Sequence, residues 1–141
     1  MSIPAVLPPI RIAAAIIDDA EGRLLLVRKA GTNSFMQAGG KIEADEDPWS
    51  ALRRELREEI GLDLADDERS YLGCFFASAA NELGRLVEAS LFHVRTNHTP
   101  IVAAEIAEAV WVTHSDAASM VLAPLTRDFV LPMAADLASG S

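Results

Sequence analysis

One cysteine, Cys74, in 141 residues excludes an internal disulfide and any zinc site built on paired cysteines. Such sparing use suits a reducing cytoplasm, the expected location. Basic residues are also scarce: 12 Lys and Arg against 21 Asp and Glu leave a formal charge of −9. A chain with that balance and no basic stripe is a poor match for nucleic acid. An anionic substrate would have to arrive with a divalent cation or meet a local basic cluster. Half the residues are hydrophobic, yet no run approaches the ~20 apolar residues of a membrane helix. The N-terminus M-S-I-P-A-V-L-P-P lacks the basic stretch of a signal peptide, so no membrane partner is expected. Repeats, low-complexity tracts and linkers are absent. Residues 1–141 are expected to form one domain, long enough to bury roughly two-thirds of the unfolded surface.

What the chain does contain is concentrated between Gly40 and Leu62: G-K-I-E-A-D-E-D-P-W-S-A-L-R-R-E-L-R-E-E-I-G-L. Asp47 followed by Pro48 is a helix start, with an acceptor side chain at the N-cap and a ring whose missing N–H costs nothing at the first position. Gly61 is the permissive residue expected just past the helix end. Trp49, Leu52, Leu56 and Ile60 recur at three- and four-residue spacing and predict the buried stripe. Glu55, Glu58 and Glu59 stand at i, i+3 and i+4, so their carboxylates are expected to share a different face. Like charges at that spacing oppose the helix by a few tenths of a kcal/mol per pair. A hard divalent cation would neutralise them, and Mg²⁺ favours carboxylate oxygens, waters and substrate phosphates. The plainer reading is a solvated acidic face.

Along the chain, the apolar run 10–17 and the segment 23–29, separated by the turn Asp18-Asp19-Ala20-Glu21-Gly22, predict a β-hairpin. A short strand is expected near 37–42. An acidic loop, 65–69, follows the motif helix. Strands are then expected over 71–80, 85–95 and 109–113, with a terminal helix over 122–138 bent by Pro132. Helices and strands in that order suggest a mixed sheet between helical layers.

The stretch fits G-x5-E-x7-R-E-U-x-E-E-x-G-U, with U aliphatic, at Gly40, Glu46, Arg54, Glu55, Leu56, Glu58, Glu59, Gly61 and Leu62. By chance such a match arises roughly once in 10⁹ starting points, and the chain offers about a hundred. The pattern resembles the signature of the Nudix hydrolases, with the box at residues 40–62. The resemblance implies an α/β/α sandwich with a mixed β-sheet between helices. It also implies Mg²⁺-dependent (or Mn²⁺-dependent) hydrolysis of a nucleoside diphosphate linked to another moiety, in which water attacks phosphorus.

Carried over by position, Glu55, Glu58 and Glu59, with the carbonyl of Gly40, match metal-ligand positions. Glu46 and Arg54 match a pair that shapes the site by a salt bridge or an indirect contact. The general base varies within the family. Glu105, six residues before Trp111, matches the extra carboxylate of MutT-type members as fourth ligand or base, with Glu108 and Glu88 as the other candidates. His93, His98 and His114 are expected to be surface or strand-packing residues. Arg28 and Lys29, followed by G-G-K-I-E at 39–43, resemble MutT's basic pair and glycine motif. That pair would contact substrate phosphates, or else is simply solvated. The chain departs from MutT at Gln37-Ala38, where a proline commonly precedes the paired glycines. Marks of the ADP-ribose, diadenosine-polyphosphate and coenzyme A subfamilies are missing.

The expected activity is therefore conversion of a nucleoside triphosphate, modified or not, to monophosphate and pyrophosphate. Two alternatives stand beside it: hydrolysis of ADP-ribose, a nucleotide sugar or a dinucleoside polyphosphate, and a catalytically inactive nucleotide sensor. The apolar segment 3–10 is expected either to support a homodimer or to pack across its own domain.

Overall fold

The computed structural model describes residues 7–139. Strand β1 (Ile10–Asp18) lies at the centre because its apolar residues point both ways. Ala13, Ala15 and Ile17 join a core beneath one helix, whereas Ala14 and Ile16 join a second core beneath another. A strand buried on both faces requires a layer on each, which gives the α/β/α sandwich.

The sheet runs β3 (Phe35–Met36), β2 (Leu24–Lys29), β1, β6 (Leu86–Arg95), β5 (Tyr71–Ser78), with β4 (Gly39–Lys41) also on β1 and β7 (Ile106–Val112) also on β2. It is mixed: β1 and β6 are parallel from Ile10↔Val87 to Asp18↔Arg95, and the other pairings are antiparallel. The expected hairpin between β1 and β2 is reduced to a single pair, Asp18↔Leu24. Beyond that pair, β1 takes β4 and β2 takes β7 as neighbours. The turn between them is held by Asp19, whose carboxylate accepts from the N–H groups of Glu21 and Arg23 and from Arg23 Nε.

Helix α1 (Pro48–Ile60) has the expected limits. Asp47 accepts from the Ser50 N–H at 2.8 Å, and Gly61 ends the helix at φ 70°. Trp49, Leu52, Leu56 and Ile60 are buried against the inner face of the sheet. The second layer is less regular. A short helix α2 (His114–Ala118), capped by Thr113 through the Asp116 N–H, follows β7 and was not expected. Residues 122–123 do not begin a helix: Leu122 bridges to Phe35, and the Ala123 N–H donates to the Phe35 carbonyl. One π-helical turn (Thr126–Val130) then leads into α3 (Leu131–Ser139). Pro132 lies just past that turn, where its missing N–H and bulky ring disfavour a regular α-helical approach. The predicted irregularity therefore appears as a widened turn before the proline.

The strand expected near 37–42 is β4, limited to Gly39–Lys41; Gln37-Ala38 separates it from β3, although the Ala38 carbonyl still accepts from the Ala15 N–H. Of the apolar segment 3–10, residues 3–6 lie outside the described residues, and the Pro8 carbonyl accepts from Arg85 Nη2. Among the described residues no helix is long and apolar enough to cross a membrane.

Candidate active site

A cavity of ≈ 500 Å³ opens between β1, β4, α1 and the loops that precede β6 and β7. Part of its wall is charged, with Lys29, Glu55, Glu59 and Glu105; another part is apolar, with Ile10, Ile12, Ala14, Met36, Val87 and Leu125.

Glycines let the acids approach. At Gly40 an added Cβ would overlap the Glu55 carboxylate, with its oxygens 2.6 and 2.7 Å away. At Gly39, φ +147°, it would overlap the Ala13 carbonyl oxygen and Ala14 Cα. Gly39 also donates its N–H to Glu59 Oε1 at 3.1 Å. Sequence reading placed Gly39 beside the box but gave it no partner. Its positive φ and its closeness to β1 become evident only when β4 pairs with β1.

Glu59 is 5% exposed. Burial pushes its carboxyl up to about 7; Glu55 and Glu105 push in the same direction, while the Gly39 N–H and Lys29 oppose them. Glu105 follows Ala104, whose φ is +56°, a conformation that non-glycine residues rarely adopt. The Glu105 carbonyl accepts from the Ala30 N–H at 2.7 Å, tying this loop to the end of β2.

Arg54 organises the rim. Its Nε and Nη2 each reach a Glu46 oxygen at 2.7 Å, Nη1 donates to Glu55 at 2.8 Å, and Nη2 also meets the Lys41 carbonyl. This bidentate arrangement holds the Glu46 carboxyl down at about 2 and raises the Arg54 guanidinium above its usual range.

The predicted residues are not all brought together. Glu55, Glu59, Glu105, Gly40 and Lys29 share the cavity wall. Glu58 does not; its side chain is 53% exposed, 3.6 Å from Arg54. The three box acids therefore divide, because Glu59 turns under β4 while Glu58 stays on the solvent side. Arg28 lies off the cavity wall as well, held by Glu108 at 2.7 Å and by the Thr32 carbonyl. Glu108 is thereby a brace for Arg28, and Glu88 faces Arg11 at 3.5 Å. His93 bonds to buried Asp18 together with Arg95, and His98 bonds to the Ile60 carbonyl.

Among the described residues no group of three His, Cys, Asp or Glu stands in a closed metal-binding arrangement. The donor set nevertheless suits a hard divalent cation. Only oxygen donors converge, and Glu55 and Glu105 both disfavour charge on Glu59, a cost that a cation would reverse.

A model of the NUDIX domain matches residues 8–131. The CTP pyrophosphohydrolase of Escherichia coli (strain K12) is 36% identical over 122 residues, covering 82% of this chain and 84% of that protein. An RNA pyrophosphohydrolase of Halorhodospira halophila (strain DSM 244 / SL1) is 47% identical over 51 residues, 36% of this chain but only 28% of that protein. Among solved structures, the E. coli ORF135 protein in solution has a TM-score of 0.71 at 31% identity, covering 92% of this chain and 91% of that one.

Proposed function

The chain belongs to the NUDIX family and is a Nudix hydrolase, and on that basis we propose that it converts a nucleoside triphosphate to monophosphate and pyrophosphate with Mg²⁺ or Mn²⁺. The observation that carries this reading is the gathering of Glu55, Glu59 and Glu105 with Lys29 on one cavity wall. The relative matched over most of both chains, a CTP pyrophosphohydrolase, supports a triphosphate. The RNA pyrophosphohydrolase match is short, and the net charge of −9 does not favour an RNA chain.

Glu59 and Glu55, with the Gly40 carbonyl, are the residues suited to hold the cation; of the two roles open to Glu105, it takes that of base. When bound, it would polarise a phosphoryl oxygen and acidify water. Lys29 draws the phosphates to this wall by charge. Glu105, exposed at the cavity edge, takes the proton of the attacking water as its oxygen bonds to phosphorus. The bridging P–O bond then breaks, and its electron pair leaves with pyrophosphate. Arg54 fixes Glu55 and Glu46 and so acts on the geometry from outside. Glu58, beside Arg54, adds negative charge at the rim.

The test is a panel of nucleoside triphosphates, ADP-ribose, nucleotide sugars, diadenosine polyphosphates and 5′-triphosphorylated RNA, assayed with Mg²⁺ and resolved by phosphorus NMR. Monophosphate plus pyrophosphate from a triphosphate supports the reading. Turnover confined to ADP-ribose, a sugar, a dinucleotide or RNA would replace it. No turnover on any of them would favour a nucleotide sensor.

A further inference from the structure

The apolar part of the cavity contains one side-chain amide with a fixed orientation. Gln37 lines the wall but is only 6% exposed, and its Oε1 accepts from the Thr126 hydroxyl at 2.6 Å. Thr126 is 1% exposed and lies behind that wall rather than on it. Its position follows from the π-helical turn, in which the Leu131 N–H donates to the Thr126 carbonyl; single π turns of this kind recur at functional sites. With the oxygen held, the amide nitrogen is the end left over. Among the described residues it makes no hydrogen bond and is not a fully buried orphan, and Gln37 lines the cavity together with Ile12, Ala14 and Leu125, which leaves its N–H groups available to a ligand there.

We propose that Gln37, oriented by Thr126, is the specificity-determining residue for the base, its amide donating to a nucleobase edge that carries two adjacent acceptors. Cytosine presents N3 beside O2, and guanine presents O6 beside N7. Uracil places an N–H between its carbonyls, and adenine places an amino group beside N7. A donor buried in an apolar wall discriminates strongly, because the wrong base leaves it unpaired. This inference rests on the nucleoside-triphosphate reading above.

The experiment compares CTP with UTP and GTP with ATP, so that base size cancels within each pair. kcat/KM is measured with Mg²⁺, and Kd for the same four nucleotides by calorimetry. The wild-type protein is expected to favour CTP over UTP and GTP over ATP by about 10- to 100-fold. Gln37→Leu brings both ratios near one. Gln37→Glu, of similar shape but an acceptor, reverses them. Thr126→Val lowers the ratios and Thr126→Ser retains them, a pattern that a merely structural role would not produce. Ratios unchanged in Gln37→Leu, or a uniform loss on all four nucleotides with the ratios intact, would overturn the assignment. Absence of turnover would overturn the hydrolytic reading alone, because the Kd ratios still decide the role of Gln37.

Discussion

Replacing Glu59 by glutamine should stabilise the metal-free protein, and only above mildly acidic pH. The folded protein holds this carboxyl at about 7 against an ordinary 4.5. Below pH 4.5 the group is protonated in both folded and unfolded chains, so it adds no pH dependence. Between 4.5 and 7 the unfolded chain releases the proton while the folded chain keeps it, and stability falls as pH rises. Above 7 the penalty is constant. The interval corresponds to about 3 kcal/mol at most. Glutamine is nearly isosteric, its carbonyl oxygen can still accept from the Gly39 N–H, and it does not titrate. In EDTA, Glu59→Gln should therefore match the wild type near pH 4.5 and exceed it at pH 8 by up to ~3 kcal/mol, roughly 10 °C in Tm. Thermal and urea melts at several pH values measure this. Adding Mg²⁺ at pH 8 should narrow the gap, since the cation stabilises the form that binds it. A variant less stable than the wild type at pH 8, or an offset independent of pH, would refute the argument that Glu59 is held in a buried, like-charged setting.

Other outcomes follow from the same geometry. Glu105→Gln should lower kcat by about 10²-fold or more if it accepts the water's proton, whereas Glu108→Gln, which removes only the partner of Arg28, should stay within a few-fold; equal losses would remove Glu105 from the role of base. Arg54→Lys cannot reproduce the two-pronged contact with Glu46 and should weaken Mn²⁺ affinity or activity by ~10- to 100-fold, measured by metal titration, with little change in Tm. Gly39→Ala, whose Cβ meets the backbone of β1, should cost about 1–3 kcal/mol, read from denaturant midpoints. Gly40→Ala first meets the carboxylate of Glu55, so it should depress activity more than stability.

Local chemistry determined much of this protein from the sequence alone. Asp47-Pro48 and Gly61 fixed the limits of α1, because N-caps and left-handed C-caps are decided by a few adjacent residues. The spacing of Trp49, Leu52, Leu56 and Ile60 fixed its buried face, and the box acids pointed to hydrolase chemistry. Strands β5 and β6 were legible within about two residues for the same reason. Other features needed the assembled fold. Helical spacing puts Glu55, Glu58 and Glu59 near one another, yet only contact with β4 decides that Glu59 is buried and Glu58 is not. Adjacent positions gave Arg28 and Lys29 equal standing until β7 supplied Glu108. β1 and β2 read as a hairpin, but residues distant in the chain compete for their edges. Gln37 and Thr126 stand 89 positions apart, and a π turn ahead of Pro132 carries no periodic signal. Hydrogen-bond partners across such distances are set by sheet pairing and packing, which residue spacing does not encode.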